Sequence, residues 1–143
     1  MLVGKYQNSI DAKCRMIVPA KFRDELGHKC ILSKAIDKCL EIHPMSEWER
    51  FMEKLSKLPS ADPKARQLAR HFFASAVECE IDKQGRMTLP QELREYAGIE
   101  KELVTVGAYE KIEVWSKEEW NSNENAAELD PSQLAESMMN YDF

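Results

Sequence analysis

The sequence predicts an α+β protein in which two tandem copies of one β-rich module pack together as a pseudo-dimer, with short capping helices and a weakly ordered acidic C-terminal tail. Three observations predict it. The stretch Ile10-Asp11-Ala12-Lys13-Cys14-Arg15-Met16-Ile17-Val18-Pro19 returns 71 positions later as Ile81-Asp82-Lys83-Gln84-Gly85-Arg86-Met87-Thr88-Leu89-Pro90, and a shared order this specific marks an internal repeat. Each copy places a turn between apolar residues at strand spacing and follows it with a proline and a short amphipathic segment. Each copy is only about 45 residues long, too short to bury an adequate core by itself, so the two must share one.

The elements follow in order. Asp82-Lys83-Gln84-Gly85 has Asp first and Gly fourth, the preference of a type I turn followed by a residue at positive φ. Cys79 and Ile81 on one side and Met87 and Leu89 on the other complete a tight hairpin with Lys83 at its tip. In the first copy Tyr6, Ile10, Met16 and Val18 are the flanks, and Cys14 takes the glycine position. Pro19 and Pro90 each open a helix, where the missing N–H costs nothing. Phe22 and Leu26, then Leu93 and Ala97, form the buried faces, and Gly27 and Gly98 stop the two helices.

Beyond these helices the repeat continues with a one-residue insertion. Lys38-Cys39-Leu40-Glu41-Ile42 matches Glu110-Lys111-Ile112-Glu113-Val114 at an offset of 72. Cys30-Ile31-Leu32 and Leu103-Val104-Thr105-Val106 precede them, so each copy gains a second hairpin. Ser46-Glu47-Trp48-Glu49 and Ser116-Lys117-Glu118-Glu119 both read as capping boxes. Trp48, Phe51, Met52, Leu55 and Leu58 make an apolar stripe ended by Pro59. Asp62-Pro63 opens a further helix with Leu68, Ala69, Phe72 and Phe73 as its expected buried side and Lys64, Arg66 and Arg70 opposite. Asp130-Pro131 starts a last, weak helix in the tail. The expected division is 5–47 for the first module, 48–75 for connecting helices, 76–119 for the second module and 120–143 for the tail.

Charge narrows the function without deciding it. The formal charge is −5, yet residues 117–143 carry one Lys against seven acidic residues, which leaves 19 basic and 18 acidic groups in residues 1–116. A near-neutral body can present a basic face, and an acidic tail limits indiscriminate binding by it. Cys14, Cys30, Cys39 and Cys79 show no paired short spacing, and His28, His43 and His71 are scattered, so no metal site and no cofactor are expected. Cys30 and Cys39 are placed to face each other across a hairpin, which leaves a disulfide geometrically open. No secretory signal and no apolar run near 18 residues is present, so a cytoplasmic protein with reduced thiols and no membrane partner is expected. No nucleophile elbow, phosphate-binding loop or ligand spacing points to an enzyme or a small-molecule substrate.

The repeated motif admits two readings. An Asp that opens a turn accepts backbone N–H groups and pairs with an Arg four residues on, which is a scaffold. Two fixed hairpin tips that each carry Lys and Arg are also a way for a strand pair to enter a DNA groove. On the residues alone both stand.

Tyr6 through Leu26, Asp37 through Trp48, Cys79 through Gly98 and Ile112 through Trp120 resemble the MraZ family of bacterial transcriptional regulators, a tandem duplication of the SpoVT/AbrB-type swapped-hairpin module with Asp-x-x-x-Arg once per repeat. The resemblance covers nearly everything from Leu2 to Trp120. It implies a ring-shaped homo-oligomer, cytoplasmic and nucleoid-associated. It also implies a partner in double-stranded DNA, namely direct repeats in the promoter of a cell-division and cell-wall gene cluster. By that resemblance Arg15 and Arg86 contact DNA, Lys13 and Lys83 meet phosphates, and Asp11 and Asp82 orient the arginines. The family usually has Gly before the Arg, as at Gly85, whereas the first copy has Cys14. If that position requires positive φ, a side chain there costs on the order of 1 kcal/mol, so either the first turn differs or the cost is carried. The competing reading is an antitoxin-like protein-interaction module acting through the tail.

Overall fold

Eight strands and six helices follow one another in the computed structural model, which describes residues 1–126 and 130–141. The first copy supplies β1 (Leu2–Ser9), β2 (Arg15–Ile17), α1 (Ala20–Leu26), β3 (Lys29–Lys34), β4 (Leu40–Pro44) and α2 (Met45–Ser56). After α3 (Pro63–Ser75) the second copy repeats the order as β5 (Val77–Glu80), β6 (Arg86–Thr88), α4 (Gln91–Ala97), β7 (Glu102–Tyr109), β8 (Ile112–Ser116) and α5 (Lys117–Ala126). Helix α6 (Pro131–Ser137) is capped by Asp130, whose carboxylate accepts the Gln133 N–H. The expected weak order of the tail concerns, in part, residues 127–129 and 142–143, which lie outside the described residues.

The two copies are interleaved strand by strand. The larger sheet runs β1-β7-β8-β4-β3-β5, and β2 pairs with β6 in a separate ribbon. Every pairing is antiparallel. Exchanging the copies turns the strand order into itself reversed, so the molecule has an internal two-fold relation. It passes between Glu41 and Glu113, which stand opposite each other in β4 and β8, and between Met16 and Met87 in the ribbon.

This interleaving corrects the expected first hairpin of each copy. The turns at Asp11 and Asp82 form, but the strands beside them do not pair with each other. Strand β5 pairs with β3 and β6 with β2, while β1 pairs with β7. Strands β1 and β5 thereby gain ladders of eight and four residue pairs on the other copy, while β2 and β6 pair over three. The second hairpins, β3·β4 and β7·β8, are local as expected.

One core follows from the exchange. Ile10, Met16, Val18, Phe22, Leu26, Leu32, Leu40 and Ile42 pack with Ile81, Met87, Leu89, Leu93, Ala97, Leu103, Ile112 and Val114, all buried. The two copies contribute unequally, since Phe22 and Leu26 have the smaller Leu93 and Ala97 as their counterparts. A second cluster of Ile31, Trp48, Leu55 and Phe72 seats α2 and α3 on the sheet. There the expected stripes narrow: Phe51 and Met52 are half-buried, whereas Leu58, Leu68 and Phe73 are exposed. The half-turn carrying Phe72 and Ser75 faces β3, with Ser75 Oγ accepting the Lys34 N–H, His71 Nε2 lies 2.7 Å from Ala35 O beside it, and Leu68 and Phe73 face outward.

Two further expectations are revised. Strand β4 runs directly into α2 with Pro44 in the capping position and no side-chain cap, so the box at Ser46 does not form. The residue equivalent to Ser116 at the 72-residue offset is Pro44, not Ser46, and Ser116 does accept the Glu119 N–H at 3.0 Å. Cys30 stands opposite Pro44 and Cys79, not Cys39. All four cysteines are free thiols.

Candidate nucleic-acid interface

Each tip is built by one aspartate. Cys14 N–H donates to Asp11 O and Asp11 N–H to Arg15 O, both at 2.9 Å, which closes the first turn. Asp11 Oδ1 accepts the Lys13 and Arg15 N–H groups at 2.9 and 3.0 Å, and Oδ2 accepts Arg15 Nε at 2.8 Å. The second tip repeats this bond for bond. Gly85 N–H and Asp82 N–H close the turn at 2.9 Å. Asp82 Oδ1 accepts Gln84 and Arg86 N–H at 2.9 Å, and Oδ2 accepts Arg86 Nε at 2.8 Å. Three bonds to one carboxylate favour its ionised form. The backbone N–H of Arg15, with the guanidinium behind it, holds Asp11 below its usual pKa, and Arg86 does the same for Asp82.

The first turn does not relax to accommodate its side chain. Cys14 has φ 59° and Gly85 φ 79°, both left-handed. The cost expected for a side chain at this position is therefore carried by Cys14.

The exchange of strands brings the two motifs together. In the β2·β6 ribbon Arg15 opposes Thr88, Met16 opposes Met87 and Ile17 opposes Arg86. Both methionines point into the core, so Arg15, Ile17, Arg86 and Thr88 share the outer face. Arg15 and Arg86, 71 residues apart in sequence, become diagonal neighbours about 7–8 Å apart at Cα by ideal strand geometry. Each arginine spends Nε on its aspartate, and among the described residues the terminal nitrogens have no hydrogen-bond partner. Such a ribbon offers two half-buried, pre-oriented guanidinium forks, the donor geometry suited to phosphate or to the edge of guanine.

The lysines are less symmetric. Lys13 occupies the third position of its turn and Lys83 the second, so they are not repeat equivalents; both are exposed. Two residues escaped the sequence reading. Arg23 on α1 and Arg94 on α4 stand 71 apart, directly after the buried Phe22 and Leu93. Val18 N–H donates to Gly85 O at 2.8 Å and Leu89 N–H to Cys14 O at 2.9 Å, so each helix begins beside the other copy's tip. The basic pair at a shared repeat position was the available signal. Among the described residues no group of three His, Cys, Asp or Glu side chains could hold a metal, and no helix is long and apolar enough to cross a membrane.

The profile of the family described as "MraZ protein, putative antitoxin-like" matches residues 1–71 and again residues 72–142. The chain belongs to the MraZ family. Relatives named transcriptional regulator MraZ include one from Caldanaerobacter subterraneus, 44% identical over 143 residues and the full length of both chains. One from Desulforamulus reducens is 48% identical over 139 residues, covering 97% of this chain and 98% of its own. One from Clostridium beijerinckii is 47% identical over 138 residues, 96% of each. These MraZ relatives are named for regulating transcription, which is not a catalytic activity, and the double match of the MraZ profile coincides with the two interleaved copies.

Proposed function

We propose that this chain is a sequence-specific DNA-binding transcriptional regulator. In this reading the modules 5–47 and 76–119, joined by 48–75, present Arg15 and Arg86 to DNA with Lys13 and Lys83 on phosphates, while Asp11 and Asp82 fix the arginines. The observation that carries it is the β2·β6 ribbon, which sets both arginines on one outward face with their terminal nitrogens unspent. A two-stranded ribbon is of a size to enter the major groove. One ribbon gives little selectivity. Several on a ring-shaped homo-oligomer, meeting direct repeats upstream of a cell-division and cell-wall gene cluster, multiply it through effective concentration. A cytoplasmic, nucleoid-associated protein fits that role.

The test is the Arg15→Ala/Arg86→Ala double variant, measured by gel shift on the DNA upstream of its own gene with native mass checked in parallel. Loss of binding at unchanged mass is expected, and wild-type binding would overturn the assignment. The second reading, protein interaction through the tail 120–143, is favoured by the antitoxin-like description of the matching family. Deletion of residues 121–143 separates them: retained DNA binding supports the regulator, and loss of a captured protein partner supports the interaction module.

A further inference from the structure

We infer that Arg23 is a further DNA-contacting residue, carried by the first copy's helix to the second copy's tip to neutralise a phosphate beside Arg86. The inference rests on the DNA-binding reading and extends it to a residue outside the repeated motif.

The guanidinium of Arg23 lies directly over Gly85. A Cβ on residue 85 would stand 2.7 Å from Arg23 Cζ and 3.1 Å from its Nε, so a side chain there would push the guanidinium aside. The backbone that carries Arg23 is fixed on both sides. Phe22 is buried in the core beside it, and Val18 N–H holds the start of α1 to Gly85 O. Yet among the described residues the Arg23 side chain has no hydrogen bond and no carboxylate within ion-pair distance. Asp82 is committed to Arg86 and two backbone N–H groups. Glu25, two residues on, is taken by the chain's amino terminus, and Asp24 is adjacent in sequence and so does not face Arg23 on the helix.

The equivalent residue shows the contrast. Arg94 donates Nε to Leu89 O at 2.8 Å and is a clamp on its own helix start. The first tip carries Cys14, whose Cβ occupies the space that an arginine would need. The second tip therefore holds Arg23, Lys83 and Arg86 against one carboxylate, and the first holds Lys13 and Arg15 against one. A half-buried guanidinium packed on the residue before Arg86, with no anion to meet it, is a site completed by an anion. Its position on a ribbon tip makes a backbone phosphate the anion of matching geometry.

The test uses the full-length oligomer and its own upstream DNA, with affinity followed across a salt series. Arg23→Gln and Arg23→Met should weaken binding by about tenfold and lower the slope of log K against log salt by about 0.9 for each tip engaged. Arg23→Met keeps a long unbranched apolar side chain without the charge, so it reports charge loss if Arg23→Gln disturbs packing. Arg23→Lys should restore the slope. Arg94→Gln should lower the melting temperature and leave the slope unchanged. Wild-type affinity and slope in both Arg23 variants, while Arg86→Gln loses binding, would overturn the role of Arg23 alone. Wild-type binding by Arg86→Gln would overturn the DNA reading beneath it. Weaker binding at an unchanged salt slope would make Arg23 structural and also overturn the inference.

Discussion

Cys14 accepts the backbone N–H of Leu89 at 2.9 Å, so the strained residue of the first tip is fastened to the opposite copy. Its φ of 59° is held by that bond and by the turn bond to Asp11.

Cys14→Gly should stabilise the protein. Relief of a left-handed side chain is worth about 1–2 kcal/mol, and the extra freedom of glycine in the unfolded chain removes about 0.5–1 kcal/mol of that. The net gain is a rise of a few degrees in melting temperature, read by thermal unfolding. Gly85→Ala should act in the opposite sense and by more, because the same strain is joined by displacement of Arg23. A stabilised Gly85→Ala variant would refute this account of the tips.

Of the four thiols, three are buried and Cys14 is half-exposed. Burial pushes the Cys30 thiol up to about 12 and Cys79 up to about 11, and Cys39 rises for the same reason. Alkylation of the native protein near neutral pH should therefore label Cys14 first and the others only on unfolding, because the thiolate is the reactive form. Mass spectrometry of the digest reads the sites. Bound DNA should slow the labelling of Cys14, and faster labelling in the complex would count against the tip as the contact.

Glu41 lies buried on the internal two-fold, with Oε2 2.6 Å from Lys111 Nζ and Oε1 3.2 Å from His43 Nε2. Burial pushes its carboxyl up, and the bonds from His43 and Lys111 outweigh it, so the pKa falls below the ordinary 4.5. Its contribution to stability is then present above the unfolded value and lost as pH falls through the folded one. Lys111→Met reverses the sign, because an unpaired buried carboxylate has a raised pKa and is tolerated only when protonated. The variant should lose about 1–3 kcal/mol at neutral pH, with the deficit shrinking toward pH 4. Denaturant melts at the two pH values check it, and a pH-independent deficit would rule this out.

The α+β class, the shared core, the second hairpins and the short helices after Pro19 and Pro90 were legible because local rules set them. Phe22, Leu26, Leu93 and Ala97 are spaced for one helix face, and Gly27 and Gly98 stop the chain. From periodicity alone the pairing of the motif strands was not legible. Alternation shows that Met16 and Met87 point inward, but not that they oppose each other across the copies. That partnership comes from global topology. Leu68 and Phe73 misled because an apolar residue on a helix records a stripe and not its width. In the candidate site, Asp11 and Asp82 follow directly from turn chemistry. Arg23 did not, since its neighbour Gly85 lies in another copy, and only the match with Arg94 at the repeat offset singled it out.

The reversed-order sheet also sets a schedule. Leu2 pairs with Tyr109 and Ser9 with Glu102, so β1 is denied its partner until nearly all of the residues between them have been made. Strand β3, by contrast, meets β4 at once. Pairing of such sequence-distant strands is slow, and an edge left open is a template for other chains. Strand β1 lacks a partner until β7 is made and is still an edge of the finished sheet, and Val3, exposed there, lies beside Lys5, a charge of the kind that discourages pairing with strangers. A strand made early is thus among the last to be paired.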